Sequence, residues 1–378
     1  MNIGIVCYAS VGGSGVVASE LARCLADRGH RTHVISSDTP FRLRESDADV
    51  RFHRVETPGY PLFREPQYLL ALATRIVQVS RDYGLDIVHA HYAVPHATAA
   101  YLAKQILVSS APGRVPQVIT TLHGTDITLV GSDHSYSETV AFSIEQSDGV
   151  TAVSESLRAD TCRALAVRKE IAVIPNFLDC DLYKRVPSPG LRKRYCPAGC
   201  EKLVIHISNF RPVKRAAAVV EVFARIASKV RARLLLVGDG PDLSAAIDAA
   251  KALGVAKHVE ALGEQDQILP LLSISDLFLL PSSQESFGLA ALEAMACEVP
   301  VVASRVGGLH EVIDHGVTGF LHPPDDLDGM AGSGVLLLTD AELHTRVAAA
   351  ARRTVRKRFC RDLVVPRYEA FYAQVLGR

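Results

Sequence analysis

The sequence predicts an α/β protein built from two successive parallel-sheet domains. Short runs rich in β-branched residues alternate with longer helical patterns, the signature of βα units whose strands are buried on both faces. That alternation breaks at a proline-bearing connection and then starts again. Glycine or basic turns follow the first strand of each half, where a helix begins. With 378 residues, 48% of them hydrophobic and 22% charged, the chain is long and apolar enough for two cores of ordinary size.

In order, the first half reads NIGIVCY, then the helical GVVASELARCLADRG, then THVISS. A helical span, QYLLALATRIVQVSRDYG, leads to DIVHAHY, and PHATAAYLAKQIL to PQVITTLH and GVTAVS. These segments predict a first domain over residues 1–175. The connection that follows contains IPNF and VPSPG, whose prolines interrupt either periodicity. The pattern restarts with KLVIHIS, VKRAAAVVEVFARIASKV, ARLLLVGDG and DLSAAIDAAKALG, and continues through HVEALG, ILPLLSIS, LFLLPSS, ESFGLAALEAMA and VPVVAS. A second domain over residues 180–355 follows. Residues 356–378 are expected to form a helical segment packing across the domain boundary, and the basic run RRTVRKR just before it reads as a solvated face. Two such domains facing each other predict a cleft, with ligands beyond the carboxyl ends of the strands.

The overall balance excludes several classes. Formal net charge is zero, so nothing points to a nucleic-acid partner. The eight cysteines form no dense framework, and Cys196 and Cys200 have no second ligand pair nearby, so no metal site is expected. MNIGIVCYASVGGSG moves straight from an apolar run into a glycine loop, which reads as a first strand rather than a signal peptide. No apolar stretch reaches the roughly 18 residues of a membrane span. Cytoplasmic residence is the expectation, and a peripheral membrane helix is not tested by that criterion.

Three groups of residues carry chemistry. Gly12, Gly13, Ser14 and Gly15 close the first strand and precede a helix expected near Val16, where backbone N–H groups can meet an anion. The spacing is neither the dinucleotide fingerprint nor a P-loop, and a tight turn made for packing explains it as well. In HISNFRPVKRA, Arg211 and Lys214 stand three apart at a helix entrance, suited to a diphosphate or simply to water. Gly238 in VGDGP, and LGEQ at 262–265, are strand-terminal turns whose backbone can accommodate a base. Finally, SSQESFGLAALEAMA places Glu285 before a helix and Glu293 within it. Eight residues of helix span about 12 Å and about 80° of rotation, which separates the two carboxylates along an extended ligand and rules out a close hydrolase pair. The alternative is that Glu285 caps the helix and Glu293 pairs with an arginine.

Taken together, GGSG at 12–15, HGTD at 123–126, NFRPVK at 209–214, VGDGP at 237–241 and the Glu285–Glu293 pair resemble the retaining glycosyltransferases with two facing Rossmann-like domains, the GT-B fold. The likeness covers nearly the whole chain. CYASVGGSGVVASELARCLADRGH, HAHYAVPHATAAYLA and TLHGTDITLVG look like the branch of that family that joins N-acetylglucosamine to L-malate in bacillithiol biosynthesis. The resemblance implies UDP-N-acetylglucosamine as donor, L-malate as acceptor, retention at the anomeric carbon, and no essential divalent cation or other cofactor. It assigns Arg211 and Lys214 to the diphosphate, Glu293 to the ribose hydroxyls and Glu285 to the donor sugar. Backbone groups around Phe287, Gly288 and Leu289 would contact sugar and phosphate, Gly13 and Gly238 would approach the donor, and His123 would lie near the reaction centre. The acceptor shell would include Ser14, Tyr92 and Thr121. A homodimer is compatible with the family and with symmetric assembly in general.

Other readings share these residues. The same donor chemistry could serve another acceptor, such as inositol phosphate or a lipid-linked sugar, and a nucleotide-sugar-binding protein without transfer activity would keep much of the pattern. Taken singly, His123 is also a turn histidine satisfied by backbone, and Tyr92 a packed ring.

Overall fold

The computed structural model describes the chain except residues 10–12, 41–42, 44–48, 58, 60–66, 111–112, 132, 198 and 200, and the side chains of 129 and 130. Gly12 of the first glycine loop and Cys200 therefore lie outside the described residues. The chain forms two compact units, Met1–Phe177 with Arg361–Arg378, and Leu178–Cys360.

The first unit is a seven-stranded parallel sheet. Its strands are β1 (Asn2–Val6), β2 (Arg31–Ser36), β3 (Val50–Arg54), β4 (Ile87–His91), β5 (Gln117–Leu122), β6 (Gly149–Ala152) and β7 (Ile171–Val173), in the order β3-β2-β1-β4-β5-β6-β7. The central strands are apolar because helices cover both faces; on one side Val6, Ile35 and Val88 pack against Leu72, Ile76 and Ala99. The helix Tyr68–Tyr83 stops at Gly84, whose φ of 60° lets its N–H cap the turn on the Ser80 carbonyl. The helix Arg361–Val375 belongs to this unit. It packs so closely on β6 that a Cβ at Gly149 would lie 2.8 Å from Val375 and 2.9 Å from Phe371.

The second unit repeats the plan with six parallel strands: β8 (Lys202–Ile207), β9 (Ala232–Val237), β10 (Val259–Ala261), β11 (Leu277–Leu280), β12 (Val301–Ser304) and β13 (Phe320–His322). Their order, β10-β9-β8-β11-β12-β13, is that of a dinucleotide-type doubly wound sheet. Val204, Leu234, Leu277 and Val302 meet Phe223 of the helix Ala216–Ala227 in its core.

In both units the order reverses beside the first strand, between β1 and β4 and between β8 and β11. Loops leaving the carboxyl ends of those two strands diverge and leave room for a ligand. Three strands escape the sequence reading, β3, β7 and β13. All are sheet edges; β7 and β13 have three residues each, and β3 carries basic residues at Arg51 and Arg54. Edge strands need little apolar content, so they leave little pattern. The sequence also gives no sign that Cys180 and Cys360 are paired, since 180 positions separate them; their Cα atoms are 5.5 Å apart and the sulfurs are bonded.

Candidate active site

In the second unit, β8 leads into the turn that carries the predicted cations. His206 is fully buried at the end of that strand, with Nδ1 2.8 Å from the Leu279 carbonyl and Nε2 2.8 Å from Ser208 Oγ. A carbonyl only accepts, so Nδ1 carries the proton and Ser208 donates to Nε2. Burial pushes the ring's pKa down to about 4, which keeps this arrangement neutral. Ser208 Oγ also accepts from the Phe210 N–H at 3.1 Å, bending the chain before Arg211.

Arg211 is extended and only partly exposed, ahead of the short turn Pro212–Lys214. Lys214 Nζ donates to Glu285 Oε1 at 2.6 Å, and Ser282 Oγ donates to the same oxygen at 2.9 Å. Backbone joins the two loops as well, because the Ser283 N–H reaches the Val213 carbonyl at 2.8 Å. Two residues assigned to different parts of one donor are thus held side by side, 71 positions apart in sequence.

Glycines make this contact possible. A Cβ at Gly238, where φ is 113°, would fall 1.9 Å from the Ser208 carbonyl oxygen. The VGDGP turn therefore presses its backbone against the loop that ends in Arg211. Gly307, beyond β12, has φ of 48°, and a Cβ there would lie 1.9 Å from the Glu285 carbonyl oxygen; the next N–H, of Gly308, donates to that oxygen at 2.9 Å. Sequence reasoning missed Gly307 and Gly308. The dipeptide between an apolar strand and a helix was the available signal.

The helix Leu289–Ala296 follows Gly288, which is left-handed at φ 92°. Gly288 has no side chain with which to cap it, so it gives the first-turn N–H groups no acceptor of its own. Glu285 does not act as the cap, and its carboxylate serves Lys214 and Ser282. Phe287 is buried edge-on against Phe359, ring centres 5.6 Å apart, and Leu289 opens the first turn. Glu293 lies inside the helix, 5% exposed, and accepts a hydrogen bond of 2.9 Å from the Tyr183 hydroxyl.

In the first unit, the helix begins at Ser14 with Gly13 as its N-cap at φ 61°, two residues earlier than expected. Ser14 is buried in the first turn. A histidine cluster occupies the ends of β4 and β5. His91 Nδ1 and His123 Nε2 are 2.9 Å apart, and His96 Nδ1 contacts the His91 carbonyl. Desolvation, reinforced by neighbouring histidines, drives His91 well below its ordinary value and His123 down to about 3, so both rings are neutral and share one proton across the contact.

Asp126 organises the turn around them. Its carboxylate accepts from the backbone N–H groups of Gly124 at 2.9 Å, Ala93 at 3.2 Å and His123 at 3.3 Å. Burial nonetheless raises its pKa to about 6. Tyr92 has a φ of 100°, outside the usual range for a side chain of its size, while its N–H holds the Thr121 carbonyl at 3.0 Å. Its ring centre is 5.4 Å from that of His123 and 5.5 Å from that of Tyr8. Tyr92 and His123 are brought together. Thr121 is fully buried, with its hydroxyl 2.6 Å from both His89 Nε2 and Thr151 Oγ1, so it supports the cluster from below. His91, His96 and Asp126 were absent from the expected site; the HAHYAVPHA and HGTD stretches hold them at the end of β4 and in the short helical turns after β4 and β5.

Comparison with known proteins matches both halves of the chain to glycosyltransferases. The model of "Glycosyltransferase Family 4" matches residues 11–182 and that of "Glycosyl transferases group 1" matches residues 191–354. The chain is 47% identical over 376 residues to the N-acetyl-alpha-D-glucosaminyl L-malate synthase of Bacillus anthracis, covering 100% of this chain and 97% of that one. It is 27% identical to the D-inositol 3-phosphate glycosyltransferase of Stackebrandtia nassauensis, over 90% of this chain and 82% of the relative. Among solved structures, a glycosyltransferase from Rickettsia africae superposes with a TM-score of 0.81 at 21% identity, covering 99% of this chain and 98% of that one. Anabaena HepE in complex with UDP and glucose gives 0.80 at 22%, with 99% of each chain covered. At those identities the structural likeness establishes the fold.

Proposed function

The chain belongs to the two-domain GT-B glycosyltransferases, and from that premise we propose that it transfers N-acetylglucosamine from UDP-N-acetylglucosamine to the hydroxyl of L-malate, with retention of anomeric configuration, as the first step of bacillithiol biosynthesis. The observation that carries the acceptor is the full-length 47% identity to a synthase named for L-malate, against 27% to a relative named for inositol phosphate. The donor reading is supported by the pairing of Lys214 with Glu285 at the switch point of the second sheet.

In this reading the second unit holds the donor. Arg211 and Lys214 neutralise the diphosphate together with the uncapped N–H groups at Gly288 and Leu289, and Gly238 lets backbone approach the nucleotide. Glu285 orients sugar hydroxyls, and Glu293 takes the ribose. The bond between the anomeric carbon and the phosphate oxygen breaks with its electron pair leaving on UDP. The malate hydroxyl then bonds to that carbon on the same face, and its proton passes to the departing phosphate. Positioning and charge stabilisation supply the acceleration, without a protein nucleophile. The first unit supplies His123 and the turn at Gly13 on the donor side, with Ser14 and Tyr92 on the acceptor; a cytoplasmic homodimer is part of the same proposal. Among the described residues, no helix is long and apolar enough to cross a membrane.

An acceptor panel tests the reading. Purified protein with UDP-N-acetylglucosamine should give the mass of a malate glycoside. Transfer only to inositol phosphate or a lipid-linked sugar overturns the acceptor, and donor binding without any product overturns the enzyme. Chelator should leave turnover unchanged; a full loss restored by added metal counts against the cation-free mechanism.

A further inference from the structure

We propose that Tyr183 is a positioning residue for the donor nucleotide, acting through Glu293; this rests on the reading of Glu293 as the ribose ligand. Glu293 is an acid in an otherwise apolar helix, and such a carboxylate needs a partner that does not consume its charge. The Tyr183 hydroxyl meets that need. It is neutral, and its one hydrogen bond of 2.9 Å to Oε1 fixes the carboxylate without neutralising it.

The tyrosine is itself held from three directions. Its N–H binds the Asp179 carbonyl at 2.8 Å, and the preceding segment is anchored by the Cys180–Cys360 bond and by the Leu178 N–H on the Phe359 carbonyl at 2.9 Å. The third anchor is Arg352. One guanidinium donates to the carbonyls of Cys180 at 2.6 Å, of Tyr183, and of Ala296 at 2.8 Å. Ala296 ends the helix that carries Glu293. The same cation thus ties Tyr183 to that helix end, which fixes the hydroxyl relative to the carboxylate. Tyr183 is 3% exposed, so it acts on the ligand only through Glu293. A tyrosine kept only to satisfy a buried acid would affect stability alone. A tyrosine that aims the acid also affects how well the ribose is read.

The test compares UDP with 2′-deoxy-UDP by calorimetry and steady-state kinetics on the full-length protein. Tyr183→Phe deletes one oxygen and should weaken UDP about tenfold, while 2′-deoxy-UDP weakens less, so that discrimination between them shrinks. Donor KM should rise in step, with kcat and acceptor KM within about twofold. Unchanged discrimination in Tyr183→Phe, or a lowered melting temperature with both affinities intact, would overturn the proposal. Glu293→Gln separates the two levels. If it abolishes discrimination while Tyr183→Phe does not, only the positioning role fails; if it leaves discrimination intact, the ribose reading falls and the proposal with it.

Discussion

Lys214 and Arg211 stand on the same turn yet differ in what removing them does. Lys214 is ion-paired to Glu285, whose side chain is 8% exposed, so Lys214→Ala strands a carboxylate and should cost about 3 kcal/mol of stability besides activity. Arg211 sits ahead of the turn with its side chain partly exposed. Arg211→Ala should lower kcat by at least about 100-fold, the loss expected for one donor aimed at developing charge, with the melting temperature nearly unmoved. Near-normal turnover in that variant would remove Arg211 from the diphosphate. The residue types and the helix-entrance spacing were legible in the sequence. That Lys214 and Glu285 share a hydrogen bond was not, because contact across 71 positions depends on adjacent strands bringing their loops together.

At the scale of elements, glycines separate turns that need flexibility from turns that need space. A Cβ at Gly13 would meet nothing within 4 Å, so Gly13→Ala carries only the strain of a backbone at φ 61° and ψ −118°, which side chains rarely adopt, about 1–3 kcal/mol. Gly307→Ala adds a collision with the Glu285 carbonyl and should cost several kcal/mol while displacing the donor loop. Denaturant unfolding of both variants measures the difference, and equal costs would refute the close approach. The long buried strands and amphipathic helices could be read because their burial is written into continuous or periodic apolar runs. The strands β3, β7 and β13 could not, since an edge is defined by its neighbours.

For the whole molecule, the titration of buried histidines sets the response to acid. Among the described residues, burial lowers His33, His53, His96 and His206 to about 4, His89 and His123 to about 3, and His91 further in the same direction. An unfolded histidine protonates near 6.5 while these rings stay neutral, so the unfolded state binds more protons as pH falls from about 6.5 toward 4. Their contribution to stability is therefore present above 6.5 and lost below it, by up to about 1.4 kcal/mol per pH unit for each ring. Asp126, raised to about 6 by burial, acts oppositely, since the folded state takes up its proton first as pH falls. One such group does not offset seven. Six of the seven lie in the first unit, so calorimetry from pH 7 to pH 5 should show its transition falling faster than that of the second. A uniform shift of both would contradict the assignment.

Alternation of apolar runs and the restart after IPNF were enough, by themselves, to determine two parallel α/β units, because burial on both sheet faces constrains composition locally. The ordered motifs likewise determined the family. Tertiary structure alone decided which side chains meet: Lys214 with Glu285, Tyr183 with Glu293, His91 with His123, and Cys180 with Cys360. Each pair joins segments distant in sequence, and hydrogen bonds or covalent bonds of 2 to 3 Å depend on strand order and loop path, which leave no periodic trace in the chain.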